Sequence, residues 1–257
     1  MLRISLIQSE IFWNDVEVNL LHFSEILCPL KGNSDLIILP EMFTSGFMMD
    51  RKDEIAPYAD KTLKWMTNQS LELGTVLVGS IIVCEDTQYY NRLYAIGNGK
   101  IICSYDKRHL FRMGEENHHF QSGSKREIFT IGKWRICPLI CYDLRFPVWS
   151  RGVNEYDLLI YVANWPEART EVWNTLLKAR AIENQAFVAG VNRVGLDGMK
   201  LKYSGSSSIF DAKGKLLGKC NDFKNEILNL ELSLSDLKSF RQKFPVHLDA
   251  DSFQIDS

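Results

Sequence analysis

Short apolar runs alternate with segments of helical period along most of the chain, and that alternation sets the expected elements. Leu2–Gln8 reads as a strand. Asn14, with Glu17 three residues on, resembles a capping box, and Leu20, Leu21, Phe23, Ile26 and Leu27 then supply an apolar helical face. Residues 35–40, DLIILP, predict a short buried strand. Residues 57–73 carry a helical period, and Gly74 suits the left-handed position just past a helix end. Residues 75–84 are a second apolar strand. NRLYAIGNGKIICSYDK, residues 91–107, reads as strand, Asn-Gly turn and strand, which makes a hairpin. Residues 108–126 have no clear period and predict a long loop, of the kind that is usually functional or mobile.

The second half follows a similar plan. Trp134–Ile140 and residues 157–163 are strands, residues 170–184 a helix with Val172, Trp173, Leu176, Leu177, Ala179 and Ile182 apolar, and residues 186–191 another strand. Residues 206–218 form a second hairpin, and residues 226–232 a last strand. Two halves of βα units, each followed by a hairpin, predict a pseudo-repeat in which two sheets pack face to face under helices. The fold class is therefore α/β. No stretch rich in Gly, Ser or Pro interrupts the pattern, so residues 1–257 are expected to form one domain.

Composition narrows the function classes. Of the 257 residues, 46% are apolar and 24% charged, as in an ordinary soluble globular protein. A net charge of −2 gives no reason to expect nucleic acid or an acidic membrane as partner. MLRISLIQSE reads as a strand rather than a signal peptide, and no apolar run reaches the roughly 18 residues needed to span a bilayer. A cytoplasmic location follows as the expectation, with free thiols. The cysteines are Cys28, Cys84, Cys103, Cys137, Cys141 and Cys220, and no CxxC pair supports a zinc ribbon or a thioredoxin-type motif.

Three apolar strands end on reactive groups. DLIILP delivers Glu41, IICSYD delivers Lys107, and WRICPLI delivers Cys141. Open α/β folds carry their sites at the carboxyl ends of strands. A free thiol is only slightly ionised at neutral pH, so Cys141 needs a base or a cation beside it. Glu41 can take the proton if burial raises its proton affinity. Lys107 can then stabilise the oxygen anion formed when sulfur attacks a carbonyl or nitrile carbon, with backbone N–H groups after Cys141 as a second donor. Of the six cysteines, Cys141 is expected to combine access to a pocket with thiolate character. Against this stands the plain alternative, in which Cys141 is a small buried hydrophobe, Glu41 a solvated carboxylate and Lys107 a surface charge.

LPEMFTSGF at 39–47, YDKRHLF at 105–111 and CYDLRFP at 141–147 resemble the three signature blocks of the nitrilase superfamily, the carbon–nitrogen hydrolases. The likeness extends to NRLYAIGNGK, ARAIENQAFVAGVNRVG and SGSSSIFDAKG. It implies a four-layer α-β-β-α sandwich, with Glu41 as general base, Lys107 as oxyanion-stabilising cation and Cys141 as nucleophile. It also implies a second glutamate in the loop after the lysine, matched best by Glu116 and next by Glu115. The implied reaction passes through a Cys141 thioester and needs no metal or organic cofactor. Within the superfamily the chain is most similar to the omega-amidase-like branch, which hydrolyses the terminal amide of 2-oxoglutaramate or 2-oxosuccinamate, a small-molecule amide. Arg145 or Arg169 would hold the distal carboxylate of such a substrate, unless Arg145 pairs with Asp143 or Glu183. Trp165 would form an apolar wall, and Phe43, Phe47 and Tyr142 would pack round a small chain or belong to the core. His109 would pack or hydrogen-bond beside the site, and His118 and His119 would lie on a loop face. A Thr-rich loop common in this branch is replaced here by NWPEART. The family commonly forms homodimers, and residues 244–257 would be a crossing arm or a solvated tail. The alternatives are another hydrolase of the superfamily, such as an N-carbamoyl amine hydrolase or a nitrilase, or a non-catalytic interaction protein on the same scaffold.

Overall fold

The computed structural model describes residues 1–152 and 154–255. Strand β1 (Leu2–Gln8) leads into helix α1 (Val16–Leu27) and β2 (Leu36–Ile38), followed by a short α2 (Lys52–Ile55), α3 (Ala59–Leu73), β3 (Val76–Glu85), β4 (Gln88–Gly97) and β5 (Lys100–Asp106). The second half runs through α4 (Glu116–His119), β6 (Phe129–Ile131), β7 (Trp134–Ile140), α5 (Pro147–Ser150), β8 (Leu158–Ala163), α6 (Thr170–Asn184) and β9 (Phe187–Asn192). A small hairpin of β10 (Val194–Leu196) and β11 (Lys202–Ser204) precedes β12 (Ser208–Phe210), β13 (Leu216–Lys219), β14 (Glu226–Leu232) and α7 (Leu234–Lys243).

The strands make two six-stranded sheets, ordered β14-β1-β2-β3-β4-β5 and β13-β12-β9-β8-β7-β6. Strand alternation explains how they layer. Leu2, Ile4 and Leu6 of β1 and Leu36 and Ile38 of β2 join a core that includes Ile136, Ile140, Ile160 and Val188 of the other sheet. Ile7 and Ile37, on the opposite pleat, join Phe23 and Leu27 of α1 and Met66 and Leu73 of α3. On the far side of the second sheet, Trp173, Leu177 and Ala181 of α6 and Leu237 of α7 are buried. The result is the expected α-β-β-α sandwich.

Several local expectations hold and others shift. Asn98 and Gly99 both have positive φ, at 51° and 69°, as a two-residue hairpin turn requires. Gly74 ends α3 in the left-handed region at φ 66°. The N-cap of α1 is Asp15 rather than Asn14: its carboxylate accepts from the Val18 N–H at 3.1 Å, while Asn14 takes a left-handed φ of 56°. The segment 108–126 is not all loop, because it carries a 3₁₀ turn at Arg112–Gly114 and the single helical turn α4. Among the described residues no helix is long and apolar enough to cross a membrane.

Directions matter for the site. The pairs β1–β2 and β2–β3 are parallel, and β5 returns antiparallel to β4, so β2 and β5 end at the same edge. In the second sheet β7, β8 and β9 are parallel and also end together.

Candidate active site

Glu41 lies just beyond β2. Its turn is pinned to β3, where the Met42 N–H donates to Ser80 Oγ at 2.9 Å and the Phe43 N–H to Ser80 O at 3.2 Å. Lys107 lies just beyond β5, and its N–H donates to Asn91 O at 3.0 Å. Cys141 follows β7 and opens a 3₁₀ turn, Cys141–Arg145, with its own φ at 42°. A non-glycine residue held at positive φ is strained, and the surrounding structure must impose it.

Asp143 does much of the imposing. Its buried carboxylate accepts from the Ile140 N–H at 3.1 Å, the Tyr105 hydroxyl at 2.7 Å and the His109 N–H at 2.9 Å. His109 Nδ1 is 2.8 Å away as well, and the His109 ring stacks on Phe146 with centroids 3.7 Å apart. One carboxylate thereby ties the strand end that carries Lys107 to the strand end that carries Cys141.

The charged groups converge. Lys107 Nζ is 2.8 Å from Glu41 Oε1 and 2.9 Å from Glu116 Oε1, and all three side chains are fully buried. Lys107 Nζ also lies over the Phe47 ring, 5.0 Å from its centroid. Glu116 accepts from the Phe111 N–H at 2.6 Å, whereas Glu115 is exposed. Glu41 Oε1 accepts a second bond, from Asn91 Nδ2 at 2.8 Å. Its Oε2 accepts from the Asn164 N–H at 2.8 Å, and Asn164 Nδ2 donates to Glu41 O at 2.6 Å. The Cys141 thiol donates to Asn164 O at 3.9 Å, and the Glu41 carboxylate is near enough to raise its proton affinity. A carboxylate oxygen has two acceptor positions. Both on Oε1 are filled by donors at 2.8 Å, whereas Oε2 has one close donor and only a longer contact from Asn164 Nδ2 at 3.5 Å, so Oε2 is the oxygen with more room for the thiol proton.

The electrostatics follow from burial. Burial pushes the Cys141 thiol well above its usual range; the Glu41 and Glu116 charges act the same way, and Lys107 opposes them. The expectation of thiolate character is thus corrected: the resting group is a thiol, and Cys28 and Cys84 are the exposed cysteines. Burial works against the Lys107 ammonium, but Glu116 and Glu41 outweigh it and hold the group above its ordinary value, so it stays charged. Burial also raises Glu116, with Lys107 opposing and Glu41 reinforcing.

The residues expected to contact substrate connect to the turn that Cys141 opens, which itself carries Tyr142 and Arg145. Trp165 is buried and its Nε1 donates to Arg169 O at 2.8 Å. The Arg145 guanidinium lies 5.4 Å from the Trp165 ring centroid, and that of Arg169 lies 5.2 Å from Phe111. Phe111 in turn meets Tyr142 with centroids 5.1 Å apart. The ion pairs considered for Arg145 do not form. Asp143 is occupied as described, Glu183 pairs with Arg180 at 3.0 Å, and among the described residues Arg145 has no carboxylate partner. Phe43 is core, packed between Phe23 and Trp65. His118 is exposed, His119 Nδ1 is 3.4 Å from Lys52 Nζ, and among the described residues no group of three metal-ligating side chains occurs. Asn91, Asn164, Tyr105 and Asp143 were not expected. Asn164 had a signal, since it too follows an apolar strand end; Asn91 had a weaker one, as a polar residue within an apolar strand.

Comparison with known proteins identifies the family. The family model described as carbon-nitrogen hydrolase matches residues 3–242. The omega-amidase YafV of Escherichia coli (strain K12) is 43% identical over 254 residues, which cover 99% of this chain and 98% of that protein. A 2-oxoglutaramate amidase of Bacillus subtilis (strain 168) is 32% identical over 251 residues, 96% of each chain. The crystal structure of XC1258 from Xanthomonas campestris, a CN-hydrolase superfamily protein with an arsenic adduct in the active site, matches with a TM-score of 0.96 at 40% identity and covers 99% of each chain. The chain belongs to the carbon–nitrogen hydrolase family, and it is a hydrolase of carbon–nitrogen bonds.

Proposed function

We propose that this enzyme is an omega-amidase, which hydrolyses the terminal amide of a small 2-oxo acid amide such as 2-oxoglutaramate or 2-oxosuccinamate. The observation that carries the substrate class is Arg145. It stands four residues after Cys141, exposed, over Trp165 and without a carboxylate partner among the described residues. Such a guanidinium, carried on the same turn as the nucleophile, suits a substrate with a carboxylate far from its amide, through a bidentate contact. Arg169, over Phe111, stands ready to assist, and Tyr142 and Trp165 wall the chain between. The likeness to an omega-amidase and to a 2-oxoglutaramate amidase supports the same reading.

Cys141 Sγ attacks the amide carbon while its proton passes to Glu41 Oε2. The carbonyl oxygen becomes an anion facing Lys107 Nζ and an N–H of the 3₁₀ turn, whose first donors have no intrahelical acceptor. One such donor is worth about 3–4 kcal/mol in the transition state. Collapse breaks the carbon–nitrogen bond, Glu41 returns the proton, and ammonia leaves. Water then attacks the thioester with Glu41 again as base, releasing the 2-oxo acid and the thiol. Glu116 holds Lys107 in place and faces the leaving nitrogen.

By the same resemblance, residues 1–257 act as one domain in the cytoplasm, as a homodimer; light scattering on the purified chain checks the last. The substrate reading is tested by ammonia release from 2-oxoglutaramate, 2-oxosuccinamate, glutamine, an N-carbamoyl amine and a nitrile. The 2-oxo acid amides should be preferred, and Arg145→Ala should raise KM for them at least about tenfold, as loss of a charged hydrogen bond does. Turnover of the carbamoyl compound or the nitrile, with none of the 2-oxo acid amides, would overturn it.

A further inference from the structure

Glu41 and Glu116 both touch Lys107, so the buried cluster holds two carboxylates against one ammonium. Two carboxylates so close tend to share a proton, and a shared proton would disable the base. The structure places a second donor between them. Asn91 Nδ2 is 2.8 Å from Glu41 Oε1 and 3.4 Å from Glu116 Oε1, and an amide nitrogen carries two hydrogens, enough for one bond to each. Asn91 reaches them because β4 runs opposite to β2 and β5, so its first residues lie at the edge where those strands end. Its backbone carbonyl holds the Lys107 N–H as well.

The rest of the side chain shows what the amide is for. Asn91 is fully buried, and its Oδ1 has no hydrogen-bond partner among the described residues. A buried acceptor left unpaired is costly. An asparagine kept for packing would be better replaced by an apolar residue, as at Leu93 and Ala95 on the same strand. The orientation is accounted for by the two carboxylates at the NH₂ end.

We infer that Asn91 is a positioning residue: its amide donates to Glu41 and Glu116 together, holds the two carboxylates on either side of Lys107, and leaves Glu41 Oε2 as the oxygen that takes the Cys141 proton. This rests on the proposed roles of Glu41 and Cys141, and not on which amide is hydrolysed.

The test compares the full-length protein with Asn91→Ser and Asn91→Asp, after circular dichroism confirms folding. Two profiles are measured against pH: kcat/KM for 2-oxoglutaramate, and the rate at which iodoacetamide modifies Cys141, followed by peptide mass spectrometry. Losing a donor raises the proton affinity of a carboxylate, so the acid limb of both profiles should move up. The move should be about one pH unit in Asn91→Asp, where a third carboxylate replaces the donor, and smaller in Asn91→Ser, whose hydroxyl serves one carboxylate. A fall in kcat with both acid limbs unmoved would reduce Asn91 to packing and overturn the inference. If Asn91→Asp does not fold, Asn91→Ser and Asn91→Ala carry the same comparison. If the unaltered protein does not turn over 2-oxoglutaramate, the substrate reading fails, and the modification profile still decides the part played by Asn91.

Discussion

Cys141 rests as a buried thiol against Glu41, so its reactive form arises only as the proton leaves for the carboxylate. Sites that pair a thiolate with an imidazolium store the ion in advance; here the chemistry predicts the opposite pH response. Above the acid limb set by the carboxylates, the rate of Cys141 alkylation should rise a second time, through and past the ordinary thiol value of 9.0, because burial has raised the folded group above it. A profile with no second rise would show a stored thiolate instead. The modified peptide must be identified, since exposed Cys28 and Cys84 will react sooner. Lys107 gives a second expectation. Removing it in Lys107→Ala strands two buried carboxylates, which should cost about 3–5 kcal/mol of stability. Loss of the oxyanion donor should also lower kcat of the folded fraction by about 10²–10³. Denaturant melts and assays on the same samples separate the two, and an unchanged melt would show that the three charges do not depend on one another.

At the scale of elements, the site is held by returns of the chain onto strand ends. The segment that carries Glu116 closes at Gly123, whose N–H donates to Lys107 O at 2.9 Å. A Cβ there would stand 2.1 Å from Asp106 O, a backbone atom that cannot step aside. Gly123→Ala should therefore lift Glu116 away from Lys107 and cut kcat more than about tenfold, with a stability loss of about 1–3 kcal/mol, as for overpacking. Activity near normal would mean that the loop tolerates the shift. The elements themselves were largely readable. In β1 and β2 alternate residues go to opposite cores, which is the pattern that period two announces. Glu41, Lys107 and Cys141 stood out because each marks an abrupt end to an apolar run. What stayed hidden has physical reasons. α4 is a single turn and can show no period. α7 is only ten residues long, and of its apolar positions Leu234, Leu237 and Phe240 only Leu237 is buried, so its helical period is brief and weak. Asp143 and Tyr105 meet across 38 positions, and no local pattern encodes such a contact.

For the molecule as a whole, the last helix is fastened by charge. Asp157, ahead of β8, receives Arg135 of β7 at 2.9 Å and Arg241 of α7 at 2.9 Å. Burial would raise this carboxyl, but the Arg135 hydrogen bonds and the Arg241 charge prevail and hold it below its usual 3.8. A depressed folded value means stability that is full above the unfolded value and is lost as pH falls through the folded one. The urea midpoint should accordingly drop below about pH 4, and Asp157→Asn should be less stable at neutrality with a shallower acid decline. An acid slope equal to that of the unaltered protein would place the proton uptake elsewhere. The sheets impose one more condition. β14 pairs with β1 along its whole length, from Leu2 opposite Leu232 to Gln8 opposite Glu226. During synthesis β1 must therefore wait for a strand that follows it by more than about 200 residues. Until then β1 is an open template for any passing chain, and a nascent polypeptide stalled before residue 226 would carry both the means to assemble a site and an unshielded edge on which to aggregate.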